Sequence, residues 1–546
     1  MHDCMASSIR IHVDNNPTLS EICSVAYGAK VTIAPAAKKQ LAARRSDISD
    51  YVKESETPAY GFNRGFGHNV HTAVPAHLLS ELQKNLIRSH ASGVGPAAPT
   101  EVVRATMFLR ALSLAQGFSG VRPQVVQSLC DFLNLALTPQ VPQFGSVGAS
   151  GDLAPLAHIA LALIGEGPFT NAKGRTYSNL SQLRGAKPKA LQLQMKEGLA
   201  LVNGVQFSTA YALLALQQCK LLLNQAIINS ALVTQVMLGS DGPFAEDFQS
   251  LRPHPGALLV AKKLRALLTQ SPIRNFHRDS KVDGEIQDPY NIRCTPQILG
   301  ACHELLTTCE ETLLIESSSV TDNPLMLGQK FKGKTKYTRI VSGGHFHGMP
   351  VAIQLYHLLE MMGIVARLSN MRCVRFVDES KNRGLGSALK WPDLSADELS
   401  ASSGMMIPEY VSAALCNQIW GQAMPTHLFS LSTDAGQEDH VSMSAGLAVR
   451  VWDTLPRLAE VLAIEFAYCL QAVAIRHKSE YFPGENGKLP WPKQSRRLSR
   501  ISEQIVKAAW ASFPPVTKDR PLSSGIKKLA QEIAEGRYAQ IAHRQL

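Results

Sequence analysis

Two stretches limit the architecture of this chain more than any others. The runs "ALVNGVQFSTAYALLALQQCKLLLNQAIINSALVTQVM" (200–237) and "VSMSAGLAVRVWDTLPRLAEVLAIEFAYCLQAVAIRHK" (441–478) carry apolar residues at helical spacing over many turns. Each is far longer than an average helix, and each is apolar around most of its circumference. A helix of that kind must be covered on all sides, by its neighbours in a bundle and by other copies of the chain. "VVRATMFLRALSLAQG" (102–117) and "PQILGACHELLTTCEETLLIESS" (296–318) repeat the pattern. The expectation is an all-α, long-helix bundle that forms a homo-oligomer.

The remainder fits around that body. "IRIHVD" and "KVTIA" near the start are β-prone, a helix is expected over 36–54, and a glycine-rich loop, "YGFNRGFGHNV", follows at 60–70. "YFPGENGKLPWP" (481–492) reads as a linker to two shorter amphipathic helices near 497–513 and 522–542. These divisions give an N-terminal domain over 1–200, a central bundle over 201–480 and a C-terminal helical segment over 481–546.

Charge and cysteine usage narrow the function classes. The net charge of +11 is spread along the chain, with dense groups only at "KKQLAARR" (38–45) and "SRRLSR" (495–500). Both sit in helical stretches and read as solvated faces, so an anionic small substrate is favoured over nucleic acid. The ten cysteines include no C-x-x-C pair, which suggests neither a disulfide framework nor a zinc site. No secretory layout opens the chain and no run of about 18 uncharged apolar residues occurs. A cytoplasmic protein without membrane association is expected.

The stretch with the most chemistry in it is "GSVGASGDLAP" (145–155). Gly145, Gly148 and Gly151 free the backbone at every third position. Asp152 is a good N-cap, and an apolar helix should follow and end near Gly165. A phosphate-binding loop would need a Gly-Lys-Ser/Thr ending, a dinucleotide fingerprint a preceding strand, and a hydrolase elbow G-x-S-x-G; none is present. A plain structural turn is one remaining reading.

The other uses the small residues themselves. The Gly151 amide nitrogen can attack the Ala149 carbonyl carbon and close a five-membered ring with loss of one water. Loss of the Ser150 hydroxyl as a second water leaves a methylidene. The result would be 4-methylidene-imidazol-5-one, an electrophile made from the chain itself, and helix N-termini nearby would stabilise negative charge developing on it.

The segment "GSVGASGDLAPLAHIALALIGEG" resembles the signature of the aromatic amino acid ammonia-lyases and the related 2,3-aminomutases. "YGFNRGFG" (60–67), "RSHASGVG" (88–95), "KEGLALVNG" (196–204), "QDPYNIRC" (287–294), "TDNPL" (321–325), "GGHFHG" (343–348) and "QEDHVSM" (437–443) follow in the family's order. The resemblance implies the helical fold of the histidine and phenylalanine ammonia-lyases and a homotetramer whose active sites combine residues of several subunits. It also implies elimination of ammonia from an aromatic L-amino acid to give an arylacrylate. The electrophile would come from Ala149, Ser150 and Gly151, with no metal or dissociable cofactor.

By the same resemblance Tyr60 is the catalytic tyrosine of a mobile loop, needing a lowered pKa to act as a base. Arg293 grips the substrate carboxylate. Asn203, Gln287 and Tyr290 surround the electrophile and amine, Phe346 lies beside the substrate, and His90 helps choose the substrate ring. Met406, in "SGMMIPE", resembles the histidine ammonia-lyases.

Four positions depart from the family pattern. Gln418 stands where a glutamate is usual, which removes a possible base and a partner for an imidazole N–H. Arg64 and Val205 each replace a threonine, and His345 replaces an asparagine. Histidine is placed first among the substrates, tyrosine second and phenylalanine third. An aminomutase, an inactive homologue and a nucleic-acid binder stand behind them.

Overall fold

In the computed structural model the described residues are 8–14, 16–54, 74–185, 188–279, 282–331, 334–484 and 487–543. Four helices make the body: Gln206–Val236 (31 residues), Thr295–Ser318 (24 residues), Met349–Val377 (29 residues) and Ser444–Lys478 (35 residues). The last is apolar and long enough to cross a membrane, but 94% of its apolar window is buried inside the protein. It serves as a core helix.

Polar side chains inside this body set how the long helices sit against one another. Glu465 on the Ser444–Lys478 helix receives Arg372 Nη1 at 3.0 Å and Asn229 Nδ2 at 2.9 Å. Arg372 also reaches Thr295 Oγ1 at 2.8 Å, and Gln225 Nε2 donates to Asn229 Oδ1 at 2.8 Å. Residues from all four helices share this buried network. Sliding one helix by a turn would strand a charge in the core, at a cost of about 3–5 kcal/mol.

The early segments behave as the sequence implies. Ser8–Ile11 and Lys30–Ile33 pair in parallel, and Pro35–Glu54 is helical. The basic group on that helix does not form a wholly solvated face. Lys38 and Lys39 are exposed, but Arg44 turns in to the Gln116 carbonyl and Arg45 is buried with the Gly120 and Met195 carbonyls as acceptors. These carbonyls lie at loops and helix ends, where they lack helical partners.

Three further differences concern segmentation. Residues 200–237 form two helices, Glu197–Val202 and Gln206–Val236, separated at Asn203–Val205. The stretch 522–542 is likewise cut, into Ser523–Ala534 and Arg537–His543, with Gly536 at φ +74° between them. Leu325–Phe331 and Lys334–Val341 form an antiparallel hairpin inside a region that reads as almost wholly helical. The 481–492 segment is also a hairpin, Tyr481–Gly484 with Gly487–Pro490. One hydrophobic core runs from Ile9 to Ala542, and the 200/201 division falls inside the Glu197–Val202 helix.

Candidate active site

The Ala149–Ser150–Gly151 turn lies where several long helices begin. Gly148 and Gly151 have φ of +64° and +79°, values that suit glycine. A Cβ on Gly151 would stand 2.3 Å from Gly204 O, so no other residue fits. The turn is held from two sides. Gly348 N and Ser442 Oγ donate to Gly148 O at 3.2 and 2.9 Å, and Met443 N donates to Val147 O at 2.7 Å. Gly348 and Met443 are the residues preceding the Met349–Val377 and Ser444–Lys478 helices.

On the other side, Gly151 pairs with Gly204 in an isolated parallel bridge, and Asp152 N donates to Gly204 O at 2.7 Å. Asn203 Nδ2 donates to the Ser150 carbonyl oxygen at 2.7 Å. The break between the two helices at Asn203–Val205 is thus part of the site. Asn203 Oδ1 is buried and has no hydrogen-bond partner among the described residues.

Asp152 occupies the N-cap position of the Leu153–Leu163 helix, but its side chain makes no cap bond there. It caps a different helix. Its carboxylate accepts from Ser208 N at 2.8 Å and Ser208 Oγ at 2.9 Å, on the first turn of Gln206–Val236, and from Ser146 Oγ at 2.8 Å. Burial raises its pKa, and these hydrogen bonds oppose the rise. The Leu153–Leu163 helix ends two residues before Gly165, at φ +89°.

The carboxylate bonded to Ser150 is one to which the sequence assigns no site role. Ser150 Oγ donates to Glu438 Oε1, and Glu438 Oε2 accepts from Thr433 Oγ1 at 2.5 Å. Glu438 lies in the "QEDHVSM" motif, which carried the signal but no assigned role. His90 feels its charge: burial lowers the His90 pKa, with Glu438 acting in the opposite direction. Gln418 is exposed on the Ile407–Gln422 helix. Val205 is buried, packing in the core at the head of Gln206–Val236. Phe346 lies in the turn just ahead of Gly348, and His345 is exposed.

Gln287, Tyr290 and Arg293 form a second cluster. The Gln287 carboxamide oxygen, oriented by its hydrogen bonds, accepts from Arg293 Nη1 and Nη2 at 2.5 and 2.8 Å, and the guanidinium lies 4.6 Å over the Tyr290 ring. This cluster is at the far end of the bundle. Asn291 Nδ2 donates to Met371 O at 3.4 Å, and Arg372 Nε donates to Asn291 O at 2.7 Å, near the C-terminus of Met349–Val377. The Ser150 turn is docked at its N-terminus. The 23 residues between Gly348 and Met371 span roughly 34 Å at 1.5 Å per residue. Met406, 41% exposed, lies with neither cluster in the described contacts. Tyr60 and Arg64 lie outside the described residues.

The long-helix bundle thus gathers an Ala-Ser-Gly turn, an amide donor and a carboxylate at the heads of its helices. The family model described as "Aromatic amino acid lyase" matches residues 18–501, and the chain belongs to that family. It is 39% identical over 459 residues to a protein named histidine ammonia-lyase from Bradyrhizobium diazoefficiens, covering 84% of this chain and 85% of that one. Among solved structures it is similar to histidine ammonia-lyase from Trypanosoma cruzi, with a TM-score of 0.84 and 29% identity, covering 99% of this chain and 96% of that one. It is equally similar to tyrosine aminomutase from Streptomyces globisporus, with a TM-score of 0.85 and 28% identity, covering 98% and 99%.

Proposed function

We propose that this protein is a carbon–nitrogen lyase that eliminates ammonia from L-histidine to give urocanate. The observation that carries this reading is the treatment of Ser150: its carbonyl is held by Asn203 and its hydroxyl by Glu438, in a turn whose left-handed Gly151 admits no side chain.

The residues fit a methylidene-imidazolone made from Ala149, Ser150 and Gly151. Ala149 and Gly151 leave room for the ring, and Asn203 holds the Ser150 carbonyl. Formed there, the group would supply an electrophile for the substrate amine.

The chain's own residues supply the rest. Glu438 lies within hydrogen-bond reach of the Ser150 side chain, so its carboxylate is available to take a proton from the substrate ammonium or to bind an imidazole N–H. His90, kept neutral by burial, faces the same space and can donate to or accept from the substrate ring. Tyr60 remains the proposed base for the β-hydrogen.

Arg293 and Gln287 suit the substrate carboxylate, since a guanidinium fixed by a neighbour's carbonyl can still offer a bidentate face. The roughly 34 Å separation means that one chain cannot supply both clusters to one substrate. The site is completed by Arg293 of the partner subunit. Antiparallel packing of the long helices of two copies would bring the head of one bundle to the tail of the other. The exposed Tyr410, Val411 and Trp420 on Ile407–Gln422 support such a contact, and a homotetramer accommodates it. Buried free thiols such as Cys130, Cys219 and Cys302 support a cytoplasmic setting.

The test is incubation of the purified protein separately with L-histidine, L-tyrosine and L-phenylalanine, measuring ammonia, arylacrylate and β-amino acid together. Urocanate with equimolar ammonia is expected from histidine. A β-amino acid would replace the lyase reading with an aminomutase, and no product from any substrate would refute both.

A further inference from the structure

Residues 200–237 read as one helix, and what cuts them is visible. In an unbroken helix the Gly204 amide would donate to the Ala200 carbonyl four residues earlier. That carbonyl is taken by Arg110 Nη2. Arg110 Nη1 donates to Gln206 Oε1 at 3.1 Å, at the first residue of the next helix, and Gln206 Nε2 passes the bond on to Thr321 Oγ1 at 2.6 Å. Gly204 is turned out of the helix and paired with Gly151. The guanidinium lies directly against it: a Cβ on Gly204 would stand 2.5 Å from Arg110 Nη1 and 2.4 Å from Gln206 Oε1.

Arg110 is 1% exposed and sits on the Thr100–Ala115 helix, outside the motifs that carry the family resemblance. It has little charge compensation. Lys196, also fully buried, takes Asp322 as its partner at 2.7 Å, so two buried cations share one carboxylate. A second buried cation is costly. It is retained where the helix is divided.

We propose that Arg110 is a positioning residue that divides the Glu197–Val202 and Gln206–Val236 helices and so aims Asn203 and Gly204 at the Ala149–Ser150–Gly151 turn. The proposal rests on reading that turn as the precursor of the electrophile. Arg110 makes no contact with Ser150 itself. It acts by taking the Ala200 carbonyl, so that Gly204 pairs with Gly151 and the Asn203 amide meets the Ser150 carbonyl.

The test compares the full-length protein with Arg110→Met and Arg110→Lys. Intact mass gives the fraction of chains that have lost two waters. Hydrogen–deuterium exchange of a peptide spanning 203–206 reports whether the helix has closed, and kcat and KM for L-histidine report the sites that remain. Arg110→Met should lower the dehydrated fraction about tenfold or more, and kcat in proportion, with KM within about twofold of wild type because mature sites are normal. Exchange at Gly204 should slow as the Ala200 carbonyl takes its amide, and Arg110→Lys should recover part of each loss. Wild-type dehydration together with wild-type exchange in Arg110→Met would overturn the proposal. If Arg110→Met is insoluble, Arg110→Lys decides: a dehydrated fraction about half of wild type or less with slower 203–206 exchange supports it, and wild-type values for both overturn it. If the wild-type chain itself has lost no water, the electrophile reading fails separately, and the exchange of Arg110→Met alone decides the role of Arg110.

Discussion

Asn203 Nδ2 lies 2.7 Å from the Ser150 carbonyl oxygen and donates to it from the break between two helices. The bond polarises the Ser150 carbonyl and fixes the turn, so under the proposed ring closure Asn203→Ala should act on maturation. The dehydrated fraction and kcat should both fall, the latter by about a hundredfold or more. Intact mass and steady-state kinetics measured on the same preparation check this.

Glu438→Gln tests the carboxylate. The amide can still accept from Thr433 Oγ1, so the fold should be retained, with a change in stability of about 1 kcal/mol or less. The charge is lost, and kcat should fall by about a hundredfold or more if Glu438 moves a proton. Thermal melting and kinetics separate the two effects.

A site shared between subunits, as proposed, predicts complementation. Ser150→Ala chains lack the electrophile and Arg293→Ala chains lack the clamp, so each homo-oligomer should be inactive. Co-refolded at equal amounts, they should regain activity, up to about a quarter of wild type where each site takes one residue from each of two randomly mixed chains. No recovery in proven hybrids would mean that one chain supplies both.

A pH effect should arise close to the site. Burial pushes the Glu316 carboxyl up from 4.5 to about 7, with the Asp152 charge adding to the rise. Below pH 4.5 folded and unfolded forms are both protonated there. Between 4.5 and 7 the unfolded chain loses its proton first, so this group's contribution to stability is lost as pH rises. Glu316→Gln should therefore melt like wild type near pH 4 and be more stable at pH 8, by of order 1–3 kcal/mol. Melting curves at the two pH values check the sign.

The sequence made some of this legible and hid the rest for identifiable reasons. The long helices announce themselves because apolar spacing over many turns has few other meanings. The Ala-Ser-Gly turn stands out through its glycines. The break at Asn203 is hidden, because "LALVNGVQF" keeps helical spacing across it and the residue that cuts it, Arg110, comes from a distant helix. Asp152 looks like the cap of its own helix, and only the fold reveals that it serves Ser208. Glu438 is hidden in the same way, since only the fold brings its carboxylate against Ser150. The hairpin of Leu325–Val341 was masked by the helical runs on either side.

The most direct test of the whole account is the intact mass of the purified wild-type chain beside that of Ser150→Ala. A wild-type mass short of the sequence mass by two waters is expected, with an unshifted mass for Ser150→Ala and lyase activity only in the former. A wild-type chain at its full sequence mass that still released ammonia from histidine would contradict it.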